Sequence, residues 1–121
     1  LDSLLKYYAA QGPTTLHHGD CVGADEWAHT TARKYGIDIV IHPPVIKTYR
    51  AFCLSDVILP EKEYLERNHD IVNACDVLIA CPKEDVEVLR SGTWHTIRYA
   101  RATHKETVLV TPTPHPTKVQ A

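Results

Sequence analysis

The chain has 121 residues, 44% hydrophobic and 23% charged, with a formal net charge of -2. That is enough apolar material for one ordinary folded domain. The charge balance excludes a protein that coats nucleic acid by bulk electrostatics. No run approaches the roughly 20 apolar residues of a membrane span. The start, Leu1-Asp2-Ser3-Leu4-Leu5-Lys6, lacks the pattern of a signal peptide. The cysteines Cys21, Cys53, Cys75 and Cys81 form no CxxC pair, which fits a reducing, cytoplasmic setting without disulfides.

In chain order, Leu1, Leu4, Leu5 and Tyr8 follow helical spacing, and Gly12-Pro13 stops that helix. Residues 14–17 read as a short strand and 19–23 as a turn. Residues 24–35 read as a helix with Gly36 in the left-handed position just past its end. Residues 37–41 are almost wholly apolar, as in a strand covered on both faces. Residues 45–60 are irregular and long for a small domain, which marks a functional loop. A helix is predicted over 63–74, a buried strand over 77–81, a polar loop over 83–90, a helix over 93–103 and a last strand over 107–110. The domain is placed at 1–111, with 112–121 as a Pro-rich tail.

Strands alternating with helices predict a parallel α/β sheet with right-handed crossovers, in the Rossmann-like class. Such sheets bind ligands beyond the carboxyl ends of their strands. Two glycine turns fall there. His18-Gly19-Asp20-Cys21-Val22-Gly23-Ala24-Asp25 leads into one helix, and Arg90-Ser91-Gly92-Thr93 into another. Glycines allow tight turns and close ligand approach, and a helix start offers free N–H groups to phosphate. Each turn reads equally as a plain structural turn, with Asp25 or Ser91 merely capping a helix.

Arg67-Asn68 on a predicted helix could grip a phosphate and a ribose or base edge, with Arg67 as the main charged contact. Its simpler reading is a surface pair with Glu63. The eight histidines include no HExxH or paired spacing, so no metal and no cofactor is predicted. No catalytic group stands out.

Three motifs occur in order: Gly23-Ala24-Asp25-x-x-Ala28-His29, Arg67-Asn68-x-x-Ile71-Val72 and Ser91-Gly92-Thr93-x-x-Thr96. Together they resemble the DNA-processing protein A (DprA/Smf) family. That family shows Gly-Ile-Asp-x-x-Ala-His, Arg-Asn-x-x-Ile and Ser-Gly-Ser-x-x-Thr. It sits with the "lonely guy" phosphoribohydrolases in the SLOG superfamily of Rossmann-like nucleotide-binding domains. The resemblance spans about Leu16 to Val110 and is strongest to small stand-alone SLOG proteins. It implies a ligand site of Gly19, Asp20, Gly23, Asp25, Arg67, Asn68, Ser91, Gly92 and Thr93. It also implies a mid-sheet first strand before Leu1, absent from this sequence, that a partner chain or preceding residues would supply.

The phosphoribohydrolases carry Pro-Gly-Gly-x-Gly-Thr-x-x-Glu with a catalytic Glu. Thr96 stands at that position here, which tells against ribose–base hydrolysis by their mechanism.

The leading expectation is therefore a homo-oligomeric module that senses or sequesters a nucleotide or nucleotide derivative. The alternatives are a nucleotide N-glycosidase using Asp20, Asp25 or Glu66 as its acid or base, and a DprA-like single-stranded DNA binder using Arg98, Arg101 and Lys105. Few free aromatics for base stacking weigh against the last.

Overall fold

The computed structural model describes residues 1–84 and 86–111. The elements run α1 (Asp2–Ala9), β1 (Thr15–His18), α2 (Ala24–Lys34), β2 (Asp38–Ile41), β3 (Val57–Ile58), α3 (Tyr64–Ala74), β4 (Val77–Ala80), α4 (Gly92–Ala102) and β5 (Glu106–Leu109). The architecture is α/β, and every pairing between these strands is parallel. No helix among the described residues is long and apolar enough to cross a membrane. The described residues group into two compact units, one over Leu1–Cys75 and one beginning at Asp76. The predicted tail, 112–121, lies outside the described residues.

In the first unit β1, β2 and β3 form a three-stranded sheet in that order. Thr15 faces Asp38 and His18 faces Ile41 across the β1–β2 ladder. Helix α2 packs on β1 and β2 and is itself touched by α1. Leu5, Ala28, Ala32, Ile37, Ile39, Ile41 and Val72 are buried there. The end of α2 follows from local chemistry. Gly36 sits at φ +68°, its N–H donates to Arg33 O (3.3 Å), and the Ile37 N–H donates to Ala32 O (3.0 Å). This is a Schellman ending, with buried Ile37 over buried Ala32 as its apolar contact. Asp2 of α1 ties down the same end through Lys34 (2.9 Å) and the Tyr35 hydroxyl.

The irregular stretch expected over 45–60 contains one short strand, β3, and both its residues are exposed. Two residues carry no readable period-2 pattern, so the strand was invisible in the sequence.

In the second unit β4 pairs with β5, Val77 facing Glu106 and Ala80 facing Leu109. Helix α4 packs on both strands and buries Trp94, Ile97 and Ala100 beside Leu78 and Ala80. The Trp94 indole N–H donates to Glu84 (3.1 Å), so the one polar atom of this buried ring is satisfied. Helix α4 also closes with a Schellman pattern, Lys105 N–H to Ala100 O (2.8 Å) and His104 N–H to Arg101 O (3.1 Å). Here the left-handed residue is His104, at φ +59°.

Candidate functional site

The carboxyl end of β1 carries the first glycine turn, and the structure builds it around Asp20 and Arg67. Asp20 is fully buried and stands at φ +59°, a conformation that short polar side chains tolerate best. Its Oδ2 accepts from Arg50 Nε (2.9 Å) and its Oδ1 from the Cys53 N–H (2.9 Å). Its backbone carbonyl accepts from the Ala51 N–H (2.7 Å). Residues 50–53 of the long loop are thereby stitched to the β1 turn, and Cys21 bridges antiparallel to Arg50. Burial pushes the Asp20 carboxyl up, but the Cys53 N–H and the Arg50 guanidinium outweigh it and hold the group below its ordinary range. The carboxylate is bonded at both oxygens and closed to solvent.

Arg67 enters from α3 and is 2% exposed. Nη1 donates to Gly19 O (2.5 Å) and to His42 O (3.0 Å), Nε to Asn68 Oδ1 (2.7 Å), and Nη2 reaches Cys21 Sγ (3.7 Å). The guanidinium lies 4.6 Å over the Tyr64 ring. The sequence reading made Arg67 the charged clamp for a ligand. The geometry corrects this: four of its five N–H donors are already spent inside the protein, so Arg67 is a strut joining the ends of β1 and β2 to α3. Asn68, expected to read a base or ribose edge, is the strut's acceptor. Gly19 is required for the same reason, because a Cβ there would collide with the Arg67 guanidinium.

Gly23, at φ +95°, begins α2 with no side-chain cap. Asp25 turns back instead, and its Oδ2 accepts the Cys21 N–H (3.2 Å). Asp25 and Glu26 both lie in the first turn of α2, so this helix start presents carboxylates as well as N–H groups.

Two histidine couples flank β1, as its alternating faces require. His17 Nδ1 meets His42 Nε2 at 2.9 Å, and His18 Nε2 meets His29 Nδ1 at 2.9 Å. The Asp20 N–H donates to His18 Nδ1 (2.9 Å). The His18 proton therefore sits on Nε2 and is donated to His29. His29 in turn hydrogen-bonds the Leu54 backbone. Burial holds all four rings below the usual histidine range, His42 at about 4.

His18, His29 and Cys53 place nitrogen and sulfur atoms within 4.8 Å of one another. A metal on His18 Nε2 would need the ring proton on Nδ1, where the Asp20 N–H already points. Burial also pushes the Cys53 thiol, beside Asp20, up to about 11. His18 and His29 share a hydrogen bond, while Cys53 is bonded to Asp20 through its backbone N–H. A pocket of about 230 Å³ opens on the other couple, lined by His42, Leu59, Pro60, Lys62, Arg67 and Asp70, with Lys62 paired to Asp70 at 2.7 Å.

In the second unit the start of α4 is differently built. Ser91 caps the helix, its Oγ accepting the Trp94 N–H (3.2 Å). Gly92 opens the helix with nothing within 4 Å of where a Cβ would stand. Thr93 is exposed, and the first turn holds no acidic residue. Thr96 donates its hydroxyl to Gly92 O (3.0 Å). Of the basic groups proposed for nucleic acid, Arg98 pairs with Glu87 (2.7 Å) and Leu89 O (3.0 Å), while Arg101 is exposed.

The structure thus joins Gly19, Asp20, Arg67 and Asn68 with Cys21 and Asp25 at one turn, and Ser91, Gly92 and Thr93 at another. Sequence reasoning missed Arg50, Phe52 and Tyr64, which complete the first turn. Arg50 and Phe52 lie in a stretch without periodicity, and no local signal marks them. No family model, curated protein or solved structure matches the chain.

Proposed function

We propose that the protein is a Rossmann-like, SLOG-type module that binds a nucleotide or nucleotide derivative, to sense or sequester it. The observation that carries this reading is the start of α4. It offers unpaired backbone N–H groups and the positive end of the helix dipole. It adds the Thr93 hydroxyl, open space over Gly92 and a first turn without an acidic residue of its own. The α2 start, with Asp25 and Glu26 in its first turn, is the poorer anion site on the same electrostatic grounds. Three motifs that resemble those of the DprA/Smf family, in the same order, also favour the reading.

Binding without turnover is the expected behaviour. Thr96 has a hydroxyl where the phosphoribohydrolases place a carboxylate, and it is bonded to the helix. Asp20 is fully buried against Arg50 and Cys53, and Asp25 is tied through Oδ2 to the Cys21 N–H.

Gly92→Val tests the site. The position lacks positive φ and its Cβ would meet only open space. The variant should therefore melt close to wild type while its affinity for a nucleoside monophosphate collapses. Unchanged affinity in a folded Gly92→Val protein removes the α4 start from the site.

A further inference from the structure

In the first unit, Gly19 and Asp20 each anchor an arginine, and each arginine backs an exposed aromatic ring. Arg67, bonded to Gly19 O, lies 4.6 Å over the ring of Tyr64. Arg50, bonded to the Asp20 carboxylate, lies 4.6 Å over the ring of Phe52. Both cations are held from behind: Arg67 is buried, and the Arg50 side chain is only 12% exposed. The rings are not buried in turn. Phe52 is 56% exposed and Tyr64 45%.

Phe52 is the one phenylalanine in the chain. It stands at φ +57°, a left-handed conformation that a bulky side chain rarely adopts. The residue does not adopt it by default. The Ala51 N–H is fixed to Asp20 O, and the Cys53 N–H to Asp20 Oδ1. One buried aspartate thus grips the backbone on both sides of Phe52 and turns the ring out to solvent. A strained backbone over-determined by its surroundings is a reason to look for a use of the side chain it displays. The usual reason to keep a phenylalanine, burial in a core, is absent here. Tyr64 is held beside the same turn, its hydroxyl 3.4 Å from Cys21 Sγ.

We infer that Phe52 and Tyr64 are stacking platforms for nucleobases, displayed by the Asp20 and Arg67 anchors at the end of β1. This rests on the nucleotide-binding reading and concerns the first unit alone. A guanidinium on one face restricts ring motion and leaves the opposite face for a planar partner. Stacking on such a face suits any base, whether of a free nucleotide or of a single strand.

The test titrates three probes into the full chain: adenosine monophosphate, ribose 5-phosphate and a short oligothymidylate. The variants are Phe52→Gly, Tyr64→Ala and Tyr64→Phe. Phe52→Gly relaxes the left-handed backbone, so loss of binding cannot be blamed on misfolding if its melting temperature holds.

The base-bearing probe should bind wild type better than ribose 5-phosphate. That advantage should shrink roughly 5- to 150-fold in Phe52→Gly and Tyr64→Ala and survive in Tyr64→Phe. If adenosine monophosphate shows the loss, the base is that of a free nucleotide. If only the oligothymidylate shows it, the base belongs to a single strand. Adenosine monophosphate and oligothymidylate that both bind equally well to wild type and to both ring-deleted variants overturn the stacking role while nucleotide binding stands. No binding by any probe overturns both.

Discussion

Replacing Arg67 separates a strut from a ligand clamp. Arg67→Ala leaves Gly19 O and His42 O without their shared donor, and both bonds lie in the interior. A buried acceptor left unpaired costs about 1–3 kcal/mol. His42 O is left unpaired and Gly19 O keeps only the weak Cys21 thiol donor (3.7 Å), which with the lost packing of the side chain amounts to about 3–5 kcal/mol. That is a large part of the ~5–15 kcal/mol that stabilises a typical domain. Arg67→Lys should also be harmful, by about 2 kcal/mol, because an ammonium cannot serve two carbonyls and Asn68 with the geometry of the planar fork. Equilibrium urea unfolding reads both values from the shift in midpoint.

A double-mutant cycle sharpens the test. Gly19→Ala drives a methyl into the guanidinium in the wild-type background, so it should cost clearly less once Arg67 is alanine. An unchanged urea midpoint for Arg67→Lys, or strict additivity of Gly19→Ala with Arg67→Ala, would refute the strut and return Arg67 to the solvent side of the turn.

Three further outcomes are expected. His17, His18, His29 and His42 all have folded-state pKa values below the ordinary 6.5. The unfolded chain therefore binds protons first as pH falls, and stability should decline from about pH 6.5 down toward the His42 value of about 4; a urea midpoint unchanged between pH 7.5 and 4.5 contradicts this. His104→Gly should raise stability by about 0.5–1 kcal/mol, because glycine accepts the left-handed C′ position of α4 without steric cost; a lower melting temperature would show that the imidazole contributes more than its backbone costs. Incubation with adenosine monophosphate should release no free adenine at enzymatic rates, as Thr96 supplies no carboxylate; robust release, followed by chromatography, would assign the chain a catalytic group that this account lacks.

What was legible in the sequence was local. Gly36 announces the end of α2 because a left-handed C′ position selects glycine. The equivalent end of α4 carries His104, and no residue type flags it. The apolar runs at 37–41 and 77–81 mark β2 and β4 to within a residue, but the expected cover on both faces is not found, because burial alternates along each strand. What was hidden was long-range. Nothing in the spacing of Asp20, Arg50 and Cys53 says that one carboxylate holds a loop thirty-odd residues away. The same holds for Arg67. Its place on a helix was readable, as a charged contact or as a surface partner of Glu63. Whether its head turned to a ligand or to two backbone carbonyls depended on where the ends of β1 and β2 lie.

The central claim, nucleotide binding, is tested most directly by mass spectrometry of small molecules released on denaturing the purified protein, paired with calorimetric titration of nucleoside monophosphates into the stripped chain. A nucleotide in the released fraction, or saturable binding that Gly92→Val abolishes, is the predicted result. A ligand-free protein that binds no nucleoside monophosphate and no oligonucleotide at millimolar concentration would contradict it.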